Sequence, residues 1–315
     1  MSVFYYGPGG GFGHLSRALA ITATLHPERM VTVATNARLP EAAWIPDNVR
    51  LLAIPSRLEN RADALGRWLE RAARDRNATD LYVDVFPAGL FGEVAHIDVG
   101  WRLMTLVCRR VQWAAYATRV HEQLAGLLFA RALIVEPLEP AHQTFVEQHA
   151  REIVPLDPRV PLPPPNWTRR WQPVFVHCGR PTWLVTHAGS HAECRDLLGF
   201  ARDTARAAGV TPWYAVNTPH RRTWGNDCRP LSAYPVHGLF PLADRIVTAC
   251  GFNAMLQTRP FAAKHLFLPL ERRFDDQFWR AARRREQQCS NLEREQPHSP
   301  PAGDEPTPTP RLTSL

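Results

Sequence analysis

The chain has 315 residues, 45% of them hydrophobic, with a formal net charge of +7. That length suits two domains, and the apolar content is that of a globular protein with a real core rather than a disordered chain. Every basic residue but Lys264 is arginine, so the positive balance fits a phosphorylated substrate or an anionic surface and equally a solvated arginine-rich exterior.

Residues 3–6 read as a first β-strand, followed by Gly7-Pro-Gly-Gly-Gly-Phe-Gly-His14 and a helix with Leu15, Ala18, Leu19 and Thr22 at helical spacing. Gly9, Gly10, Gly11 and Gly13 let the backbone approach a ligand, and the helix N-terminus offers N–H groups to an anion. His14 stands at the junction. Two common readings of such a loop find no support. The dinucleotide fingerprint needs Gly-x-Gly-x-x-Gly or Ala, and from Gly7, Gly9 or Gly11 the last position falls on Phe12, His14 or Ser16. A Walker-type loop needs a lysine after its last glycine, and Lys264 is far away.

Further strands are predicted over 31–35, 49–54, 80–85, 103–108 and 132–136, with a helix over 57–75. Alternating strands and helices imply an α/β fold with a parallel sheet covered on both faces. A proline-rich stretch then reads as a stiff connector. The alternation resumes with strands at 182–186, 212–216, 245–249 and 265–268 and helices at 191–208, from Phe252, and at about 275–288. From Glu286 the composition turns to Gln, Glu, Ser and Pro, the mark of a disordered tail. The predicted organisation is a first domain over 1–154, a linker over 155–167, a second domain over 168–285 and a tail over 286–315. Its natural ligand site is the cleft between the two halves.

Three segments together carry a resemblance: Gly9 to His14 with Leu-Ser-Arg-Ala-Leu-Ala, then Ala243-Asp-Arg-Ile-Val-Thr-Ala-Cys-Gly-Phe-Asn-Ala-Met255, then Leu268-Pro-Leu with Asp275-Asp-Gln-Phe-Trp279. In order and spacing they resemble the GT-B glycosyltransferases, in particular family 28, to which the bacterial peptidoglycan N-acetylglucosaminyltransferase belongs. The resemblance implies two Rossmann-like domains facing a central cleft, the acceptor on the first and a nucleotide sugar, usually UDP-linked, on the second. It also implies inversion at the anomeric carbon, no bound metal and no cofactor beyond the sugar nucleotide.

Transfer to a hydroxyl needs a base and something cationic or dipolar to hold the departing diphosphate. His14 is the candidate base, set against a residue that merely orders the glycine loop. Asp84 is a second base or the group that orients His14, set against a turn-forming aspartate before Phe86-Pro87. On the donor side, Gly189 and Ser190 form a strand-to-helix turn for the diphosphate, against a plain cap role for the serine. Gly251, Phe252 and Asn253 open a second helix facing the same place. The resemblance places Asp276 and Gln277 on the donor-sugar hydroxyls, and Gln257 where the family has a ribose-gripping glutamate. The second domain is short for this fold, so the helix that crosses back onto the first domain is expected to be missing or replaced by the tail.

The six cysteines show no Cys-x-x-Cys pair, and the histidines no His-x-x-x-His pair on a helix. Neither a signal peptide nor an apolar run of the ~20 residues a membrane span requires is read in the sequence. The expectation is a cytoplasmic protein with reduced thiols, its charge permitting peripheral contact with the anionic inner face of the membrane. Nucleic acid is not an expected partner, since aromatic residues are not interleaved with the arginines. Two other readings stay open: a non-catalytic nucleotide-sugar or glycan-binding protein derived from a transferase, and a nucleotide-sugar epimerase.

Overall fold

The computed structural model describes residues 2–98, 104–176, 179–220 and 223–295. The first half runs β1 (Ser2–Tyr6), α1 (Phe12–Leu25), β2 (Val31–Thr35), β3 (Val49–Ala53), α2 (Ala62–Arg74), β4 (Ala78–Asp84) and β5 (Met104–Cys108). It continues through α3 (Trp113–Arg119), α4 (His121–Leu124), β6 (Arg131–Ile134), α5 (Pro140–His149) and β7 (Ile153–Pro155). The second half opens on two short helices, α6 (Pro165–Arg169) and α7 (Gln172–Phe175). Then come β8 (Thr182–Thr186), α8 (His191–Ala207), β9 (Trp213–Asn217), β10 (Cys228–Leu231), β11 (Arg245–Ala249), α9 (Phe252–Gln257), β12 (His265–Leu268) and α10 (Gln277–Glu295).

Both sheets are parallel, in the orders β3-β2-β1-β4-β5-β6-β7 and β10-β9-β8-β11-β12. Parallel strands covered on both faces read as continuous apolar runs, which is why β1 and β5 carry almost no polar residue and are buried nearly throughout. In each half the chain leaves the first strand toward one edge, then returns to pair on that strand's other side. These are β1 beside β4 and β8 beside β11. Loops leaving such neighbours diverge, and a crevice opens at the strands' C-terminal ends. The two crevices face one another.

The halves share an apolar seam, where Tyr234, Phe252 and Leu256 join the cluster of Val3, Tyr5, Leu15 and Ile21. A helix that reaches back onto the first half is present: Arg280, in the first turn of α10, donates from Nε to Glu136 at 2.6 Å and from Nη2 to the Arg110 carbonyl at 3.0 Å.

Several predicted boundaries move for local reasons. The single helix expected over 57–75 is two pieces, because Asn60 adopts a φ of 62° between the turn at Ser56–Leu58 and α2. Gly66 of α2 lies so close to the Glu93 carbonyl that a Cβ would stand 2.5 Å from it. Two edge strands were not predicted, β7, which ends on the first residue of the proline-rich connector, and β10, which contains Pro230; proline is confined to such edges. α10 runs past 288 to Glu295, into the stretch expected to be tail, and residues 296–315 lie outside the described ones. Among the described residues no helix is long and apolar enough to cross a membrane.

Candidate functional site

The first crevice holds a buried polar cluster. His14 is the third residue of α1, presented by a loop in which Gly9 takes a φ of 106°, a conformation that favours glycine. Gly7 packs so tightly against it that a Cβ there would lie 3.1 Å from the His14 Cβ. Asp84, the last residue of β4, is fully buried and lies 2.6 Å from His14 Nδ1 through its Oδ2. Arg17 donates to the same carboxylate from Nε and Nη2, each at 2.7 Å, and the Tyr5 hydroxyl donates to Oδ1 at 2.7 Å.

Four hydrogen bonds onto one carboxylate set its charge state. Burial pushes the Asp84 carboxyl up, but Arg17 and His14 outweigh it and hold it well below the ordinary range. An ionised carboxylate only accepts hydrogen bonds, so His14 carries its proton on Nδ1 and keeps a lone pair on Nε2. Burial also pulls the His14 imidazole below its usual 6.5, with Asp84 opposing and Arg17 adding to the drop. The result is a neutral, oriented imidazole lining the cleft.

The turn expected at Asp84 exists as well. Phe86 N donates to the Asp84 carbonyl at 2.9 Å across Val85, whose φ is 71°. A β-branched residue rarely takes that conformation. The pairing of Val85 N with the Val107 carbonyl at 2.9 Å holds it there, so the chain turns sharply after Asp84 while the carboxylate points back under His14.

Between the halves lies a cavity of about 630 Å³, within the usual size range for small-molecule sites. Its lining includes Gly11, Gly13, His14, Gly189, Gly251, Phe252, Asn253, Gln257 and Gln277, while Gly9 and Gly10 stand beside it in the loop. Among the described residues arginines 17, 38, 109 and 272 also line it, against one acid, Asp275.

Several expected donor ligands have other tasks. Ser190 caps α8, with Oγ accepting from Glu193 N at 3.3 Å and its own N–H donating to Glu193 Oε2 at 2.8 Å. The anion at this helix N-terminus is the chain's own carboxylate, and Ser190 does not line the cavity. Arg272 pairs with Glu193, and this guanidinium with the backbone holds the Glu193 carboxyl down to about 2. Gly189 keeps its place on the cavity wall, since a Cβ there would collide with Glu193 and His187. Asp276 pairs with Arg110 at 2.7 Å and caps α10 through Trp279 N at 3.1 Å, away from the cavity. Its neighbour Asp275 faces the cavity, paired with Arg109 and, at 2.7 Å, with Arg280.

Gln277 is 3% exposed, and its Oε1 accepts from Cys250 N and Leu270 N, both at 3.1 Å. It thereby pins the loop after β11 to the end of β12. Asn253 Nδ2 donates across the cleft to the Gly13 carbonyl at 2.7 Å, and Arg17 stacks over Phe252 with 5.6 Å to the ring centroid. Both residues latch the halves together. Gln257, at the C-terminal end of α9, faces the cavity.

Sequence reasoning passed over Tyr5, Arg17, His187, Arg109, Arg272 and Asp275. Arg17 had a usable signal, because three residues beyond His14 is the same helix face. The others had none, since which of two adjacent aspartates faces a cleft depends on helix phase. Among the described residues no group of His, Cys, Asp and Glu is placed to hold a metal ion.

No protein-family model matches the sequence, and no curated protein does. Solved structures do match in fold. One is Phytolacca americana UGT2 complexed with UDP-2fluoro-glucose and pterostilbene, at a TM-score of 0.54 and 13% identity over 90% of this chain and 83% of that one. The apo form of UGT2 matches at 0.51 and 12%, over 90% and 84%. The spinosyn forosaminyltransferase SpnP matches at 0.50 and 14%, over 92% and 83%. These are glycosyltransferases of the GT-B fold, and this chain has that fold; family 28 is not singled out among them.

Proposed function

We propose that the protein is an inverting glycosyltransferase that moves a sugar from a nucleotide sugar, UDP-linked in the first instance, to an acceptor hydroxyl without a metal. The observation that carries this reading is the His14–Asp84 pair, buried at one wall of a cleft whose lining charges are mainly arginine. In this scheme His14 Nε2 takes the proton of the acceptor hydroxyl, whose oxygen forms a bond to the anomeric carbon. The bond from that carbon to the diphosphate oxygen breaks on the opposite face, and the diphosphate leaves with the electron pair. A single displacement inverts the centre. Asp84 stabilises the imidazolium as it forms, and the cleft arginines meet the charge on the leaving group.

The UDP-sugar bound in the plant UGT2 structure supports a UDP-linked donor. An epimerase would need acids free to exchange protons at the sugar, and among the described residues the one carboxylate on the cavity wall, Asp275, is already held by two guanidiniums. Asp275 and Gln257 are assigned to donor hydroxyls, Gly189, Gly251 and Asn253 to the side facing the diphosphate, and Gly9 to Gly13 to the acceptor side.

The test is titration with UDP and UDP-glucose in excess EDTA, followed by measurement of glucose release to water or added alcohols. Saturable binding with slow release supports the scheme. Tight binding with no release under any acceptor makes the protein a binding module, and no binding of either ligand removes the UDP assignment.

A further inference from the structure

A second cavity, of about 280 Å³, lies on the other side of α9 from the cleft. Phe252 contributes to both. One wall is the end of β6 at Val135 and Pro137, and the others are α9 and α10. Among the described residues four guanidiniums line it, from Arg259, Arg280, Arg283 and Arg284, against one carboxylate, Glu136. Helical spacing puts Arg280, Arg283 and Arg284 on a single face of α10.

The charges do not cancel. Arg280 and Glu136 neutralise each other through two hydrogen bonds of 2.6 and 2.8 Å. Arg259 reaches Asp157 at 2.5 Å, an exposed pair worth little. Arg283 is held over Trp279, 5.2 Å from its centroid, while Arg110 stacks on the same indole at 4.6 Å. Arg284 is only 6% exposed and donates one hydrogen bond, from Nη2 to the Met255 carbonyl at 2.6 Å. Among the described residues neither Arg283 nor Arg284 has a carboxylate partner. A guanidinium carries five N–H donors, and burying an uncompensated charge is costly. Burial and, after it, the nearby Arg259 weaken the hold of Arg284 on its proton.

We propose that this cavity is a second anion site that takes a phosphate group, separate from the cleft. Arg283 and Arg284 face the phosphate oxygens with their free N–H groups, and Arg259 closes the outer side. Because the walls come from both halves, an occupied site ties the end of β6 to α10 and biases the angle at which the two crevices meet. The phosphate belongs either to a soluble ion or ester or to an anionic lipid headgroup.

The experiment is calorimetric titration of the full-length chain with inorganic phosphate and pyrophosphate, run both free of nucleotide and with UDP in excess to fill the cleft. A parallel arm uses co-sedimentation with phosphatidylcholine vesicles with and without phosphatidic acid. The variants are Arg259→Gln/Arg283→Gln, whose residues sit on the outer side and spare the buried contact, Arg284→Met, and Arg206→Gln, on the exposed face of α8 and in neither cavity, as a control. Loss of charge-assisted hydrogen bonds should weaken binding by roughly 10- to 100-fold in the double variant and in Arg284→Met, with Arg206→Gln near wild type. Phosphate or pyrophosphate binding with that pattern supports the site and a soluble ligand. Binding to phosphatidic acid vesicles alone, lost in the same variants, supports the site and a headgroup. Wild-type affinity in the folded double variant, or no binding of any probe at millimolar concentration, overturns it.

Discussion

The two crevices are built alike and do different work. Each follows the first strand of its sheet, the first five strands of one and all five of the other running in the same order, and each carries a histidine where the strand gives way to a helix, His14 after β1 and His187 after β8. Each histidine touches a carboxylate. His14 meets Asp84, 70 residues away on the neighbouring strand and wholly buried, through Nδ1. His187 meets Glu193, six residues on in the helix that follows it, through Nε2 at 3.1 Å. The distant partner leaves Nε2 of His14 available to a substrate. The local partner spends Nε2 of His187 on a cap. In the proposed mechanism, where its acid comes from decides which of the two histidines is left free to act as a base.

The largest effect that tests this contrast is on turnover. His14→Ala should lower sugar release or transfer by about 10²- to 10⁴-fold, the worth of a general base. UDP affinity should change little, because the residues assigned to the donor sit on the other half. His187→Ala should cost less than about tenfold, the scale of a lost cap. Steady-state rates with UDP affinity measured alongside decide it, and equal losses in the two variants would erase the distinction. The wild-type rate should also be flat above pH 6.5 and fall on acidification, since burial holds His14 below that value and only its neutral form accepts a proton.

Next in size is stability. Asp84→Asn leaves Arg17 buried without its counter-charge and should cost about 3–5 kcal/mol, as breaking buried ion pairs does. Glu193→Gln removes a partly exposed pair and half a capping box and should cost about 1 kcal/mol. Urea midpoints for the two variants measure the gap. Similar midpoints would mean that burial of Asp84 does not set the first crevice apart.

A third test concerns histidines outside both crevices. Burial pushes His142 and His265 down to about 3 and His237 to about 4. Among the described residues neither ring nitrogen of His142 has a hydrogen-bond partner; the ring lies stacked 4.2 Å from Trp113, and Arg109 adds to the shift after burial. The unfolded chain, with values near 6.5, binds protons first as pH falls. Stability should therefore be full above pH 6.5 and decline below it, by up to about 1.4 kcal/mol per pH unit for each such histidine. Denaturation at pH 8, 6 and 5 reads the slope, and His142→Phe should flatten it.

The smallest effect sharpens the donor side. Gln257→Glu should tighten UDP binding several-fold, since a charge-assisted hydrogen bond to a ribose hydroxyl gains about 1 kcal/mol over a neutral one. Unchanged affinity in a folded variant would move Gln257 out of the proposed ribose contact.

Local chemistry in the sequence determined a good deal of this. The apolar runs of β1, β4 and β8, the glycines before His14 and the helical spacing after it act over a few residues, so the α/β alternation, the glycine loop and the imidazole at its end were all legible. Ser190 with Glu193 three residues on was legible as a capping box for the same reason. What only the tertiary structure decided is pairing across the sheet and across the cleft. In sequence Asp84 is open between a base, the orienter of His14 and a turn residue, and its contact with His14 exists only because β4 returns to lie beside β1. Asp275 and Asp276 are adjacent and chemically identical, and one-residue rotation on entering α10 sends the first to the cavity and the second to Arg110. Backbone preference and side-chain periodicity are properties of neighbours along the chain. Charge compensation between residues 70 or more apart is a property of strand order and burial, which no short window of sequence contains.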